Sequence, residues 1–187
     1  MPQNQKFFII RHGEALSNNH DSPLSATGQK QAEDLTEFLI GLTDFKNDII
    51  ISSPFLRASQ TAAILAARKN QTFCTDKRLE ERNIGDYQGE DLWGELKKYF
   101  KDMKHTFPNG ESNGEVLYRI NNLIEELKQS NHQNIFLITH RFTMMLLFNQ
   151  YDKNFDFDKG KSITNPDVYE IDSINGEITI RRLWNES

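Results

Sequence analysis

Residues 7–14 read Phe-Phe-Ile-Ile-Arg-His-Gly-Glu, and this stretch decides the fold. Four consecutive apolar residues, Phe7–Ile10, suit a strand buried on both faces, as in a parallel sheet covered by helices above and below. The run is too short for a secretion signal, and Arg11 ends it. Where the strand gives way to a turn stands Arg11-His12-Gly13-Glu14; Gly13 relieves crowding there and lets backbone approach a ligand. Outward from this point strands and helices alternate. Thr27–Ile40 predicts a helix with Ala32, Leu35, Leu39 and Leu42 on one face, Ser25 as its N-cap and Gly41 as its stop. Ile49–Ser52 predicts a second strand, followed by a helix over Leu56–Ala67 with Leu56, Gln60, Ala63, Ile64 and Ala67 in phase. Thr72–Thr75 suggests a short third strand and Asp91–Met103 a lysine-rich helical stretch. Glu115–Lys128 has the clearest helical stripe: Val116, Leu117, Ile120, Leu123, Ile124 and Leu127. Ile135–Thr139 predicts another buried strand and Phe142–Phe148 an apolar helix. Asn175-Gly176, between Val168–Ile171 and Ile178–Leu183, signals a closing hairpin.

This alternation predicts an α/β fold, a three-layer α/β/α sandwich with a mostly parallel central sheet. In such sheets ligands bind beyond the carboxyl ends of the strands. Beyond Ile10 come Arg11 and His12, beyond Ile51 come Ser52-Ser53-Pro54 and Arg57, and beyond Ile138 come Thr139-His140-Arg141. Three separate strand ends therefore deliver arginine and histidine toward one edge.

The chain has 187 residues, which suits one domain, and no repeat or Gly/Pro/Ser-rich linker divides it. Its net charge of -5, with no basic run, argues against nucleic acid as the ligand. No stretch approaches the ~20 apolar residues of a membrane span. The one cysteine, Cys74, is expected to pack in an apolar stretch and cannot form an internal disulfide. With no leader visible, a cytoplasmic location is the expectation.

The gathered residue types suit a phosphomonoester, which is close to a dianion at neutral pH. Arginine offers a planar fork of donors that matches phosphate oxygens in pairs. Arg11 and Arg57 would neutralise most of that charge, and neutral imidazole is a nucleophile. One histidine of the pair could accept the phosphoryl group while the other assists. The leaving alkoxide needs a proton donor. The segment Leu79–Gly89 supplies Glu80, Glu81 and Asp86, among which side-chain chemistry alone does not choose.

With these residues in view, the chain resembles the histidine phosphatase superfamily, in the branch holding cofactor-dependent phosphoglycerate mutases and related small phosphatases. The resemblance is carried by Arg11-His12-Gly13-Glu14 with Asn18, Pro23-Leu24-Ser25 through Gly28 to Gln31-Ala32, Ser52-Ser53-Pro54 with Arg57, and Gln60-Thr61-Ala62. Leu79–Gly89, Gly110-Glu111-Ser112 and Thr139-His140 complete it in family order, spanning about residues 6–172. It implies a phosphoglycerate mutase-like fold, His12 as nucleophile with a backbone carbonyl on its other ring nitrogen, and Glu81 as proton donor. Arg11, Arg57 and His140 would form the phosphate pocket, with Asn18 beside it and Glu111 and Ser112 in support. The family needs no metal, no metal-ligand spacing is visible, and no cofactor is expected for this chain. The sequence departs from the family pattern at Arg141, where glycine is common, at Ala15 for Ser or Thr, and at Gln88 for Glu. Arg141 either adds a further candidate phosphate-binding cation or points outward, and it bears on substrate choice.

The resulting expectation is a phosphomonoester hydrolase working through phosphohistidine on a small soluble metabolite. A mutase of the same chemistry and a non-catalytic phospho-ligand module are the alternatives. About twenty residues separate Gly89 from Gly110, a short lid over about 90–110, which favours access by water and so hydrolysis. Lys97, Lys98, Lys101 and Lys104 read as a solvated helix face or as anion-attracting groups at the pocket mouth. His20, His105 and His132 read as solvated surface. Asn154–Lys161 reads as a loop at the pocket mouth or a contact surface, which leaves a homodimer open.

Overall fold

The computed structural model describes residues 5–42, 47–174 and 177–184. Six strands form one sheet: β1 (Lys6–Arg11), β2 (Asp48–Ser52), β3 (Cys74–Thr75), β4 (Asn134–Thr139), β5 (Asp167–Ile174) and β6 (Glu177–Arg182), in the order β3-β2-β4-β1-β5-β6. The first four run parallel, and β5 and β6 are antiparallel additions. The closing hairpin is present, but its turn at Asn175-Gly176 lies outside the described residues.

Side-chain alternation along each strand builds two cores. Phe8 and Ile10 of β1, with Ile50, Phe136 and Ile138, face α1 (Ala26–Leu42) and α2 (Leu56–Arg68). Phe7 and Ile9, with Ile51, Ile135 and Leu137, face the other layer. That layer contains α3 (Leu92–Lys98), α4 (Asn113–Lys128), α5 (Arg141–Tyr151) and α6 (Phe157–Lys161). The architecture is the three-layer α/β/α sandwich read from the sequence. A strand with both faces covered must be apolar at every position, which is why Phe7–Ile10 is an unbroken run.

Several helix details differ from the sequence reading. Helix α1 runs through Gly41, and Leu42 is exposed. Ser25 Oγ accepts from Gly28 N at 2.9 Å, as an N-cap should. Helix α2 buries Arg57, Ala58, Thr61, Ala62, Leu65 and Ala66, a face turned by one residue, about 100°, from the expected stripe. Small alanines let α2 lie close on the sheet, and the rotation carries Arg57 and Thr61 toward the strand ends. Helix α3 is shorter than the lysine-rich stretch, and α6 forms where a loop was expected, with Phe155 and Phe157 buried. Cys74 is exposed on the edge strand instead of packed. His105 and His132 are half-buried, and the His105 ring stacks on Tyr99 at 3.5 Å between centroids. No helix among the described residues is long and apolar enough to cross a membrane.

Candidate active site

Strands β1 and β4 are neighbours, yet α1 leaves β1 on one face and α5 leaves β4 on the other. The chain thereby opens a crevice at their carboxyl ends, the place where sheets of this kind bind ligands. The ladder pairs Arg11 with Thr139, so His12 and His140 stand one step beyond it on adjacent strands. Their ring centroids are 5.0 Å apart. Ser52 pairs with Ile138 on the other side of β4, which sets Ser53 next to the same edge.

The turn after β1 is made by close packing. A Cβ on Gly13 would lie 2.4 Å from Gly28 O, and one on Gly28 would lie 1.9 Å from Glu14 O. Only glycines allow the loop and the first turn of α1 to touch in this way. The same turn is fastened by Gly13 N donating to Thr61 Oγ1 at 3.2 Å, and by Asn165 Nδ2 donating to the His12 carbonyl at 2.8 Å.

The hydrogen bonds define the imidazole tautomers. Arg57 Nε donates to His12 Nε2 at 3.0 Å, so that nitrogen is an acceptor. His12 Nδ1 must then carry the proton, which it donates to Gly13 O at 2.6 Å. The Nε2 lone pair thus points at the cluster. An Nη of Arg57 faces His140 Nδ1 at 3.3 Å, and the opposite nitrogen, Nε2, donates to Ser53 Oγ at 2.8 Å. Arg57 is anchored from behind by the carbonyl of Asn19 at 2.8 Å. Arg11 donates from Nη1 to the carbonyls of Ile163 at 2.9 Å and Thr164 at 3.1 Å, and its Nε is buried without a partner.

Burial and mutual repulsion shape the protonation of this cluster. His12 is only 6 % exposed and His140 only 1 %. Burial, with Arg57, Arg11 and Arg141 close by, pushes the His12 imidazole down to about 3, so it is neutral at pH 7. His140 is held well below the ordinary histidine range by burial, then by His12 and the arginines. Arg11 is lowered to about 9 by burial and then by Arg141, and remains protonated at neutral pH. Arg57 and Arg141 are lowered in the same direction, again by burial first.

Among the three acids of the loop, Glu81 is the one that faces the cluster. Its carboxylate accepts from Phe142 N and Thr143 N at 3.0 Å each, at the N-terminus of α5, and lies 3.1 Å from Thr143 Oγ1. The helix start favours this negative charge. The loop is tied in place by Thr139 Oγ1 donating to Leu79 O at 2.7 Å and Thr143 Oγ1 donating to Glu80 O at 2.9 Å. Asp86 is turned instead to Asn109.

Other expected site residues sit elsewhere. Asn18 is exposed and reaches Arg57 only through its carbonyl, at 3.4 Å. Glu111 binds Arg119 and accepts from Asn83 N, which shapes the loop bearing Glu81. Ser112 caps α4 in a capping box with Glu115. Lys97 is paired with Asp158 and Lys98 with Glu95. Arg141 lies at the cluster, with its guanidinium 5.7 Å from the centre of the Trp93 ring. Four participants were not singled out from the sequence: Ser53, Thr61, Thr143 and Asn165. Ser53 and Thr61 stand inside segments that carry the family resemblance, whereas Asn165 carries no local signal because its role depends on where β5 begins. Among the described residues no group of three or more His, Cys, Asp or Glu side chains is placed to hold a metal ion.

A family model described as the histidine phosphatase superfamily (branch 1) matches residues 7–186. The chain belongs to that superfamily. A Hydrogenobacter thermophilus protein named "Putative phosphoserine phosphatase 2" is 31% identical over 157 residues, 75% of each chain. Phosphoserine phosphatase 1 of the same organism is 27% identical over 159 residues, 76% of this chain and 74% of that one. A mycobacterial glucosyl-3-phosphoglycerate phosphatase in complex with VO3 superposes with a TM-score of 0.76 at 25% identity, over 98% of this chain and 100% of that one. Of the segments that carry the resemblance, those bearing Arg11-His12, Ser53 with Arg57, Glu81 and Thr139-His140 meet at the β1/β4 crevice.

Proposed function

We propose that the protein is a phosphomonoester hydrolase that works through a phosphohistidine on His12 and acts on a small phosphorylated metabolite in the cytoplasm. The observation that carries this reading is the His12 ring: its Nδ1 proton is held by Gly13 O while its Nε2 lone pair faces Arg57. An imidazole fixed in that tautomer and kept neutral is a prepared nucleophile.

In the first step His12 Nε2 forms a bond to phosphorus as the ester P–O bond breaks. Arg57 exchanges its bond to Nε2 for bonds to the phosphoryl oxygens, joined by Arg11 and His140, where preorganised donors act most strongly. Glu81, in its acid form, passes a proton to the leaving alkoxide. In the second step Glu81 takes a proton from water, whose oxygen bonds to phosphorus as the P–N bond breaks. Inorganic phosphate leaves and neutral His12 is restored. The segment over about 90–110 serves as a short lid, contributing one seven-residue helix, α3. So slight a cover favours water as acceptor over a second substrate hydroxyl.

The test is phosphate release from a panel of small phosphomonoesters by wild type and His12→Ala. Release should fall by at least ~10³-fold in the variant, and an acid-labile phosphoenzyme should form on wild type alone. A product that is an isomer of the substrate would make the protein a mutase. Ligand binding without turnover in wild type would make it a binding module.

A further inference from the structure

We propose that Arg141, steadied by Trp93, binds a second anionic group on the alcohol portion of the substrate, so that the enzyme selects phosphomonoesters bearing a carboxylate or another phosphate near the scissile ester. This rests on the hydrolase reading above.

Arg141 is unlike the other arginines of the region. Arg11 is tied to two carbonyls, Arg57 to His12, His140 and Asn19, and Arg82 to the carbonyls of Glu111 and His105. Arg141 donates to no acceptor among the described residues, no carboxylate there lies within 4.0 Å of it, and its Nε is shielded from solvent without a partner. A buried unpaired donor is unfavourable unless a ligand satisfies it. Its position names the ligand's side of the site. The two residues after it, Phe142 and Thr143, hold the Glu81 carboxylate through their backbone N–H groups. Glu81 serves the leaving oxygen, so Arg141 stands beside the alcohol being released. Its charge is felt by Arg11 and His12 and lies near Glu81, which places it at the pocket and not in open solvent.

Trp93 supplies the backing. A guanidinium over an indole uses its face for the ring and leaves its edge donors for an anion. Trp93 itself rests on Phe157, with centroids 5.8 Å apart, and Lys97 ties its helix to Asp158. The competing role, a third ligand of the transferred phosphoryl group, is less suited to Arg141. Arg11, Arg57 and His140 already surround His12, whereas Arg141 opens the helix whose next two N–H groups hold Glu81.

Two matched pairs separate the sources of the second charge. O-phosphoserine against O-phosphoethanolamine isolates a carboxylate; propane-1,3-diol bisphosphate against its monophosphate isolates a phosphate. Wild type should favour the doubly anionic member of at least one pair by about tenfold or more in kcat/KM, chiefly through KM. In Arg141→Gly and Arg141→Gln the preference should shrink to within about threefold. The Gln variant keeps the stem and helix start, and its thermal melt controls for folding. Equal losses on both members of a pair, a preference that survives, or no preference in wild type would overturn the proposal. Calorimetric binding of the same pairs to His12→Ala, with and without Arg141→Gln, reads the preference without turnover. A failure of the hydrolase reading is therefore seen separately, as phosphate release that does not need His12.

Discussion

The two ends of β2 handle buried charge in opposite ways. At its start, Asp48 is ion-paired with Lys69 and accepts from Asn134 Nδ2 at 2.7 Å, and both charged side chains are almost fully enclosed. Charge there is cancelled within the chain. At its end, beyond Ser52, the crevice collects Arg11, Arg57 and Arg141 around two neutral imidazoles, and none of the three has a carboxylate within 4.0 Å among the described residues. Glu81, the nearest acid, is committed to the start of α5. The first arrangement is complete as folded. The second lacks counter-ions as folded, and under the function proposed above an anionic substrate supplies them. A protein that gathers cations without partners stores part of its folding stability as affinity for an anion.

Four experiments press on this contrast. The largest effect is expected from Arg57→Ala, which should lower kcat/KM by ~10³–10⁴-fold while changing stability by less than about 1 kcal/mol, because no acid is left unpaired. Arg57→Lys should not rescue it, since a single ammonium cannot span His12, His140 and the Asn19 carbonyl. Steady-state kinetics and urea melts check both halves. Next, Lys69→Ala should leave kcat near wild type but cost about 3–5 kcal/mol of stability, because Asp48 would remain buried without its counter-ion. If that variant lost activity and kept its stability, the contrast between the two ends would be wrong.

The third concerns pH. His12 titrates at about 3 when folded, against an ordinary value of about 6.5 when unfolded. Between those values the unfolded chain binds the extra proton, so stability rises with pH across the window and is lost as pH falls through it. His12 contributes up to about 2 kcal/mol of that loss between pH 6.5 and 5. His140 acts in the same direction. His12→Asn should flatten the profile; denaturant midpoints at several pH values read this out. The smallest effect is expected from Ser53→Ala, which frees His140 Nε2 from its acceptor. A fall of about three- to tenfold in kcat, with little change in KM, would mark Ser53 as a positioning residue.

Much of the site was legible in the sequence because its key residues are local to strand ends. An unbroken apolar run followed by Arg11-His12 states both where the strand is and where it stops, and Thr139-His140 repeats the message. The phase of α2 was not legible. Its apolar residues offer two overlapping stripes, and the sheet selected the alanine-rich one because it allows close approach. Glu81 could be told from Glu80 and Asp86 by family resemblance but not by its chemistry, since all three are acids in one loop. The short helix within Asn154–Lys161 was not legible because Phe155 and Phe157 sit among charges in a segment whose partners, Phe148 and Phe142, are distant in helix α5.

The sequence alone determined the alternation of strands and helices, the two-sided burial of the sheet, and the identity of the histidines and arginines brought to its edge. These follow from periodicity and from chemistry at element ends, which are properties of neighbouring residues. Only the tertiary structure decided which nitrogen of His12 is free, which acid turns inward, and that Arg141 has no hydrogen-bond or ion-pair partner among the described residues. Each depends on a hydrogen bond, or the lack of one, between segments far apart in the chain, and no local pattern encodes where such segments will meet.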